Sequence, residues 1–158
     1  MQKTWVRWLT TALTVSVMAM IFFFSTEQAE QSDATSGIIS LWIIRISQPG
    51  FDTLPEPEQI ELYNSVQTVV RKIAHFTEFA LLGFSLRLCL ESWFGDRWKK
   101  LGPAAWAGGA AYAGLDEWHQ TLVDGRAGLW GDVGIDGFGV LAGVLIASRI
   151  LNRIHRKA

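Results

Sequence analysis

Four apolar stretches, at about 5–25, 70–91, 100–116 and 134–151, constrain this chain more than anything else in it. Each approaches the ~20 residues with which a helix at ~1.5 Å per residue crosses a ~30 Å hydrocarbon core. The first is the clearest, with no charged residue between Arg7 and Glu27. The third is the shortest, and Trp98 and Trp118 mark its ends. Together the four stretches predict an all-α integral membrane bundle and leave no room for a second domain in 158 residues.

The charges set an orientation. Lys3 and Arg7, then Arg97, Lys99 and Lys100, then Arg149, Arg153, Arg156 and Lys157 flank alternate ends of the four stretches. The bias of basic residues toward the cytoplasm therefore predicts both termini inside. The segment from Glu27 to Glu61 carries seven acidic residues and only Arg45 against them, which suits the outer side. Trp5, Trp8, Trp93 and Trp98 fall at the inner boundaries and Trp42, Trp118 and Trp130 on the outer side, where indole rings settle at the interface. Phe24 is followed by Ser25, Thr26 and Glu27 rather than a small-residue cleavage pattern, so the first stretch reads as an uncleaved signal anchor.

Between the first two crossings, Ile38 to Ile46 is too short and too interrupted to span, and it is expected to form a helix at the outer interface. Pro49, Gly50, Pro55 and Pro57 then mark a loop. Thr53 and Glu56 have the spacing of a capping box before a helix that leads into the second crossing. Ala105 with Gly109, Ala110 with Gly114, and Gly139 with Gly143 place small residues one turn apart, which predicts close packing of the third crossing on the fourth.

Polar residues gather at the outer ends of the crossings. Lys72, His75 and Glu78 recur every three residues and share a helical face. Asp116 and Gln120, and Asp132 and Asp136, are four apart and share faces wherever helix reaches them. Glu117 adjoins Asp116, and Arg71 and Arg126 stand near as compensating cations. Ionisable groups at membrane depth cost roughly 2.5–3.5 kcal/mol each at a helix centre, so they persist with partners or with a purpose. Mutual satisfaction as interhelical glue accounts for any one of them more easily than for all.

His75, Glu78, Asp116 and Glu117 are the candidates for acid or base chemistry. Arg71, Lys72, Gln120, Arg126, Asp132 and Asp136 are the candidates for ligand binding. His75, Glu78, Asp116, Glu117 and His119 include metal-ligand types, but no HExxH pattern or paired CxxC is present, and neither a metal nor another cofactor is expected. His119 beside Trp118 reads as an interfacial residue. The lone Cys89 excludes an internal disulfide, and a net charge of −1 gives no field for nucleic acid. The oligomeric state is not legible.

The blocks Arg71-Lys72-Ile73-Ala74-His75-Phe76-Thr77-Glu78-Phe79, Asp116-Glu117-Trp118-His119-Gln120 with Gly125-Arg126, and Asp132-Val133 to Asp136 and Gly139 resemble, in order and spacing, those of VanZ-like membrane proteins. Phe24-Ser25 with Gln28 and Ser32 resembles that family's first block. Phe79 stands where many relatives carry Tyr, and Asp136 where Asn is expected in many members. The resemblance implies a multi-pass protein of the bacterial cytoplasmic membrane, in a family associated with resistance to glycopeptide antibiotics, chiefly teicoplanin. The family's molecular activity is not established, so it assigns no catalytic residue.

Two functions are expected from residues and resemblance together. One is a protein whose outer-leaflet site binds membrane lipids, in particular a lipid-linked cell-wall intermediate, or a glycopeptide antibiotic, with Arg71, Lys72 and Arg126 on a phosphate or carboxylate. The other is a membrane enzyme that modifies an envelope lipid by acid/base or metal-assisted chemistry. A coupled transporter is disfavoured because the inner half offers only Arg87 and Glu91, near its boundary.

Overall fold

The computed structural model describes residues 3–26, 29–95, 98–123 and 130–156, with the side chains of 29–35, Trp98, Lys99 and Trp130 excepted. It is all-helical: α1 Thr4–Thr26, α2 Ala29–Ser47, a 3-10 turn at Phe51–Thr53, α3 Glu56–Phe94, α4 Trp98–Gln120 and α5 Trp130–His155. No strand occurs among the described residues. Glu27, Gln28, Arg97 and the Gly125-Arg126 loop lie outside them.

α1, α3 and α5 are long and apolar enough to cross a membrane. Three threonines of α1 have hydroxyls that donate back to their own helix. Thr10 bonds to the Val6 carbonyl at 3.0 Å, Thr11 to Arg7 at 2.9 Å and Thr14 to Thr10 at 2.9 Å. Each donor is thereby satisfied without water, which is what an apolar surrounding requires. α4 matches the others in length but not in apolar content, because Gly and Ala take the places of Leu and Ile along it. Its buried apolar side chains, Leu101, Ala105 and Ala113, are mostly small.

α3 has 39 residues, roughly 58 Å of helix and about twice what a bilayer core needs. Its first half pairs with α2 as a helical hairpin, with Gln67 donating to the Ser36 hydroxyl at 3.4 Å and Gly37 so close to the Tyr63 hydroxyl that a Cβ would not fit. Ile44 is buried, while Ile38, Ile39, Trp42, Ile43 and Ile46 stay exposed as an apolar face. The capping box does not form. Thr53 donates instead to the Gly50 carbonyl at 2.7 Å, because the 3-10 turn folds its hydroxyl back, and α3 is capped by Pro55 with no side-chain bond. Glu56 and Glu58 in the first turn complement the helix dipole.

α3 and α5 run parallel and form the most extensive helix pair. A Cβ at Gly139 would strike the Phe76 carbonyl, one at Gly143 the Ala80 carbonyl, and one at Gly83 the backbone of Val140. Glycine is needed here for the approach of two backbones, not for its dihedral freedom. The expected partner of the Gly139 and Gly143 stripe was the third crossing; the structure gives it to α3. α4 reaches α5 differently, through Gly109 under the Val140 side chain and Trp106, whose indole donates to the Gly137 carbonyl at 3.1 Å. The core joins Ile21, Phe79, Leu82, Ala105, Ala113, Val140 and Val144, and the Tyr112 hydroxyl donates to the Met18 carbonyl at 2.7 Å to tie α4 to α1.

At one end of the bundle α1 is clamped to α3. The Arg7 Nε donates to the Ser92 carbonyl at 3.1 Å and its guanidinium lies 5.4 Å from the Trp93 ring centre, while the Trp93 indole donates to Thr11 at 3.0 Å. Deeper, Arg87 is sealed in the interior with Glu91 at 2.8 Å and Ser148 at 3.2 Å. Arg87 and Glu91 are thus buried structural partners inside the bundle. Phe23, Leu13 and Val15 of α1, Ile73 and Leu81 of α3, and Phe138, Leu145 and Ile146 of α5 face outward, forming an apolar exterior far too large for a water-soluble monomer.

Candidate functional site

At the opposite end of the bundle, α3 and α5 bring two rows of polar side chains together. A spacing of three on α3 meets a spacing of four on α5: the Lys72 Nζ lies 3.6 Å from the Asp132 carboxylate, and the His75 Nδ1 lies 3.7 Å from the Asp136 Oδ1. Parallel helices in close backbone contact keep such rows in step, so the glycine seam below is what holds these pairs level. Glu78 follows on the same stretch of α3, half-buried, and Arg71 is half-buried beside Lys72.

Burial deepens along the rows. The outer pair is wet, with the Lys72 side chain 49% exposed, whereas Asp136 is 0% exposed. Neither oxygen of Asp136 has a hydrogen-bond partner among the described residues, and neither does the His75 Nδ1. At 3.7 Å the two groups attract without sharing a hydrogen bond, which needs a separation nearer 2.7–3.2 Å.

α4 closes the site from the other side. Its helix continues through the acidic block, so Asp116, Glu117 and Gln120 sit on its buried face, and Gln120 donates to the Asp116 Oδ2 at 2.9 Å. Glu117 comes to His75 and Asp136, the nearest donor atoms of the three all lying within 4.8 Å of one another. α1 supplies the remaining wall, with Ser25 buried and its hydroxyl 3.5 Å from the His119 Nδ1, and the Phe22 ring 4.9 Å from the His119 ring.

Lys72, His75, Glu78, Asp116, Glu117, Gln120, Asp132 and Asp136 thus gather at one end, as their spacing implied, with Arg71 alongside; Arg126 lies outside the described residues. His119, read as merely interfacial, is half-buried against Ser25 and Phe22. Ser25 was not a site candidate; the available signal was its position at the outer end of the first crossing. Five carboxyl groups share this end with Arg71 and Lys72, so the interior is acidic and its mouth carries the cations.

A helical bundle with an apolar exterior and an acidic, partly sealed polar end is that of a membrane protein with a site at one face. The VanZ/LLP1 family model matches residues 10–152, and the chain belongs to that family. The matched span contains every residue of the site. No curated protein and no solved structure matches the chain.

Proposed function

We propose that this VanZ-like protein crosses the bacterial cytoplasmic membrane four times with both termini inside. In that arrangement its polar end opens to the outer leaflet and binds the polar head of a lipid-linked envelope component, or a glycopeptide-type antibiotic. Four crossings are supported by helix directions. α4 runs antiparallel to α5, since Gly102 lies near Val144 and Gly109 at Val140, and α4 runs parallel to α1 through the contacts of Tyr112 with Met18 and His119 with Ser25. α4 is therefore packed along the other three rather than laid across their ends. Lys3, Arg7, Lys100, Arg149, Arg153 and Arg156 then fall at the end away from the site, which supports the outward orientation, with Arg71 and Lys72 as the exceptions at the site itself.

The observation that carries the binding reading is the graded mouth of the site. Lys72 is exposed at the rim over a buried carboxylate cluster, and the exterior beside it is apolar, as with Ile73 and Phe76. A rim cation holds a phosphate or carboxylate by charge-assisted hydrogen bonds while the lipid chain stays in the bilayer. The second reading, an enzyme acting on an envelope lipid, is favoured by one feature, the buried approach of His75 to Asp136, which pairs a base with a carboxylate.

The test uses the full chain in nanodiscs, probed with a long-chain polyprenyl phosphate and, separately, with teicoplanin. Saturable binding of either probe, weakened by Lys72→Gln, is the expected result. Equal binding by wild type and Lys72→Gln, or none by wild type, overturns the reading.

A further inference from the structure

The geometry points to a divalent transition-metal site formed by His75, Glu117 and Asp136, with zinc the best-matched ion. Three helices each supply one donor: α3 the imidazole, α4 and α5 a carboxylate each. Their nearest donor atoms lie within 4.8 Å of one another, around a shared centre at the buried end of the site. Zinc bonded at about 2.0–2.2 Å to nitrogen and oxygen in a tetrahedral shell separates neighbouring donors by roughly 3.4 Å. The His75 Nδ1 and Asp136 Oδ1, at 3.7 Å, are already near that spacing. A Glu117 carboxylate oxygen lies within 4.8 Å of both.

A second observation is independent of the clustering. Asp136 is 0% exposed, and both of its oxygens and the facing His75 Nδ1 lack a hydrogen-bond partner among the described residues. A buried carboxylate left in the state of Asp136 costs stability unless something positive lies against it. A direct hydrogen bond would draw the imidazole and carboxylate about 0.5–1 Å closer. Instead they stand off at a distance that suits two ligands of one ion. A mixed imidazole and carboxylate set fits zinc or manganese and does not fit the soft ions that prefer thiolate. Three protein donors leave further coordination positions for water or a ligand oxygen, as in sites where a metal meets a substrate rather than in closed structural sites.

The sequence hid the site because each donor comes from a different helix. No local ligand spacing of the HExxH kind exists to be read. The inference rests on these three side chains and not on the lipid reading. The experiment reads metal alone, so the two can fail separately.

The full chain, purified in detergent with an affinity tag that contains no histidine, is stripped with chelator. It is then titrated with Zn²⁺, and with Co²⁺ as an optical probe. Wild type is expected to retain about one zinc per chain after desalting, to gain thermal stability on zinc addition, and to give the ligand-field absorption of four-coordinate Co²⁺. Asp136→Asn and Glu117→Gln should each weaken zinc binding roughly tenfold or more, a scale on which even supporting residues of metal sites register. Asp52→Asn, in the exposed pair with Arg45, should bind as wild type does. Because substitution of a buried residue can also unfold the protein, the wild-type stoichiometry and Co²⁺ spectrum stand as a separate readout. No retained zinc together with no Co²⁺ absorption in wild type overturns the inference, as does binding equal to wild type in folded Asp136→Asn and Glu117→Gln proteins.

Discussion

Arg87 and Glu91, one turn apart on α3, form an ion pair at 2.8 Å with their side chains 1% and 3% exposed. The pair sits at the opposite end of the bundle from the candidate site, and it is tied to α5 twice, through Ser148 at 3.2 Å and through His155 at 3.7 Å from Glu91. Charges sealed from solvent do not stabilise a fold cheaply, because desolvation offsets much of their attraction. Once in place, however, neither can be removed alone.

Removing one partner is accordingly expected to cost on the order of 3–5 kcal/mol, since it leaves the other buried and uncompensated. Arg87→Met and Glu91→Gln should each lower the unfolding midpoint in detergent strongly, and the double variant Arg87→Met/Glu91→Leu should recover much of the loss. Two independent, additive losses would show that the pair is not the unit described here.

The glycine seam gives a contrast within one residue type. Gly143→Leu places a side chain against the Ala80 carbonyl and is expected to abolish the monodisperse folded protein, because backbone cannot move aside as a side chain can. Gly108, which has nothing within 4 Å of an added Cβ, should accept Ala with a gain of about 0.5–1 kcal/mol from reduced chain entropy. Size-exclusion profiles and thermal melts of the two variants decide the point.

Lys72 and Asp132 form a wet ion pair, the kind that contributes about 0–1 kcal/mol to stability. Lys72→Gln should therefore melt within that margin of wild type. Its affinity for a polyprenyl phosphate should fall about tenfold or more, the scale of one hydrogen bond to a charged group. A melt lowered as far as that of Arg87→Met would assign Lys72 a structural role.

Orientation is accessible to labelling. In a Cys89→Ala background, Leu122→Cys lies just past α4 at 67% exposure, and Lys100→Cys lies near its start. A membrane-impermeant thiol reagent should label position 122 in intact cells, and position 100 only after the cells are opened. The reverse pattern inverts the topology, and labelling of both positions from outside removes α4 as a crossing.

Much of this architecture could be read from the chain, and the residues show why. Leu13 to Phe24 and Ile135 to Leu151 are apolar enough to declare helices by themselves. The spacings Lys72-His75-Glu78 and Asp132-Asp136 survive into the structure because both lie inside regular helix, where sequence distance fixes the face. What failed depended on partners. Gly139 and Gly143 announced close packing but could not name α3. Thr53 had a capping spacing, yet the turn at Phe51–Thr53 consumed its hydroxyl. That Glu91 and Ser148 enclose Arg87 also depends on how α3 meets α5. The approach of His75, Glu117 and Asp136 is a property of three helices at once, and no window of sequence contains it.

The missing side chains at Gly139 and Gly143 also decide how anything can get in. Between α3 and α5 there is no rotamer to swing aside, so that seam is a closed wall. α1 and α4 meet instead through separate side-chain contacts, Tyr112 on Met18 and His119 near Ser25, with the partly exposed Phe22 ring leaning on the histidine. The contact between α1 and α4 can therefore loosen by side-chain rotation, the Phe22 ring included, whereas the seam between α3 and α5 can part only if the backbones themselves do.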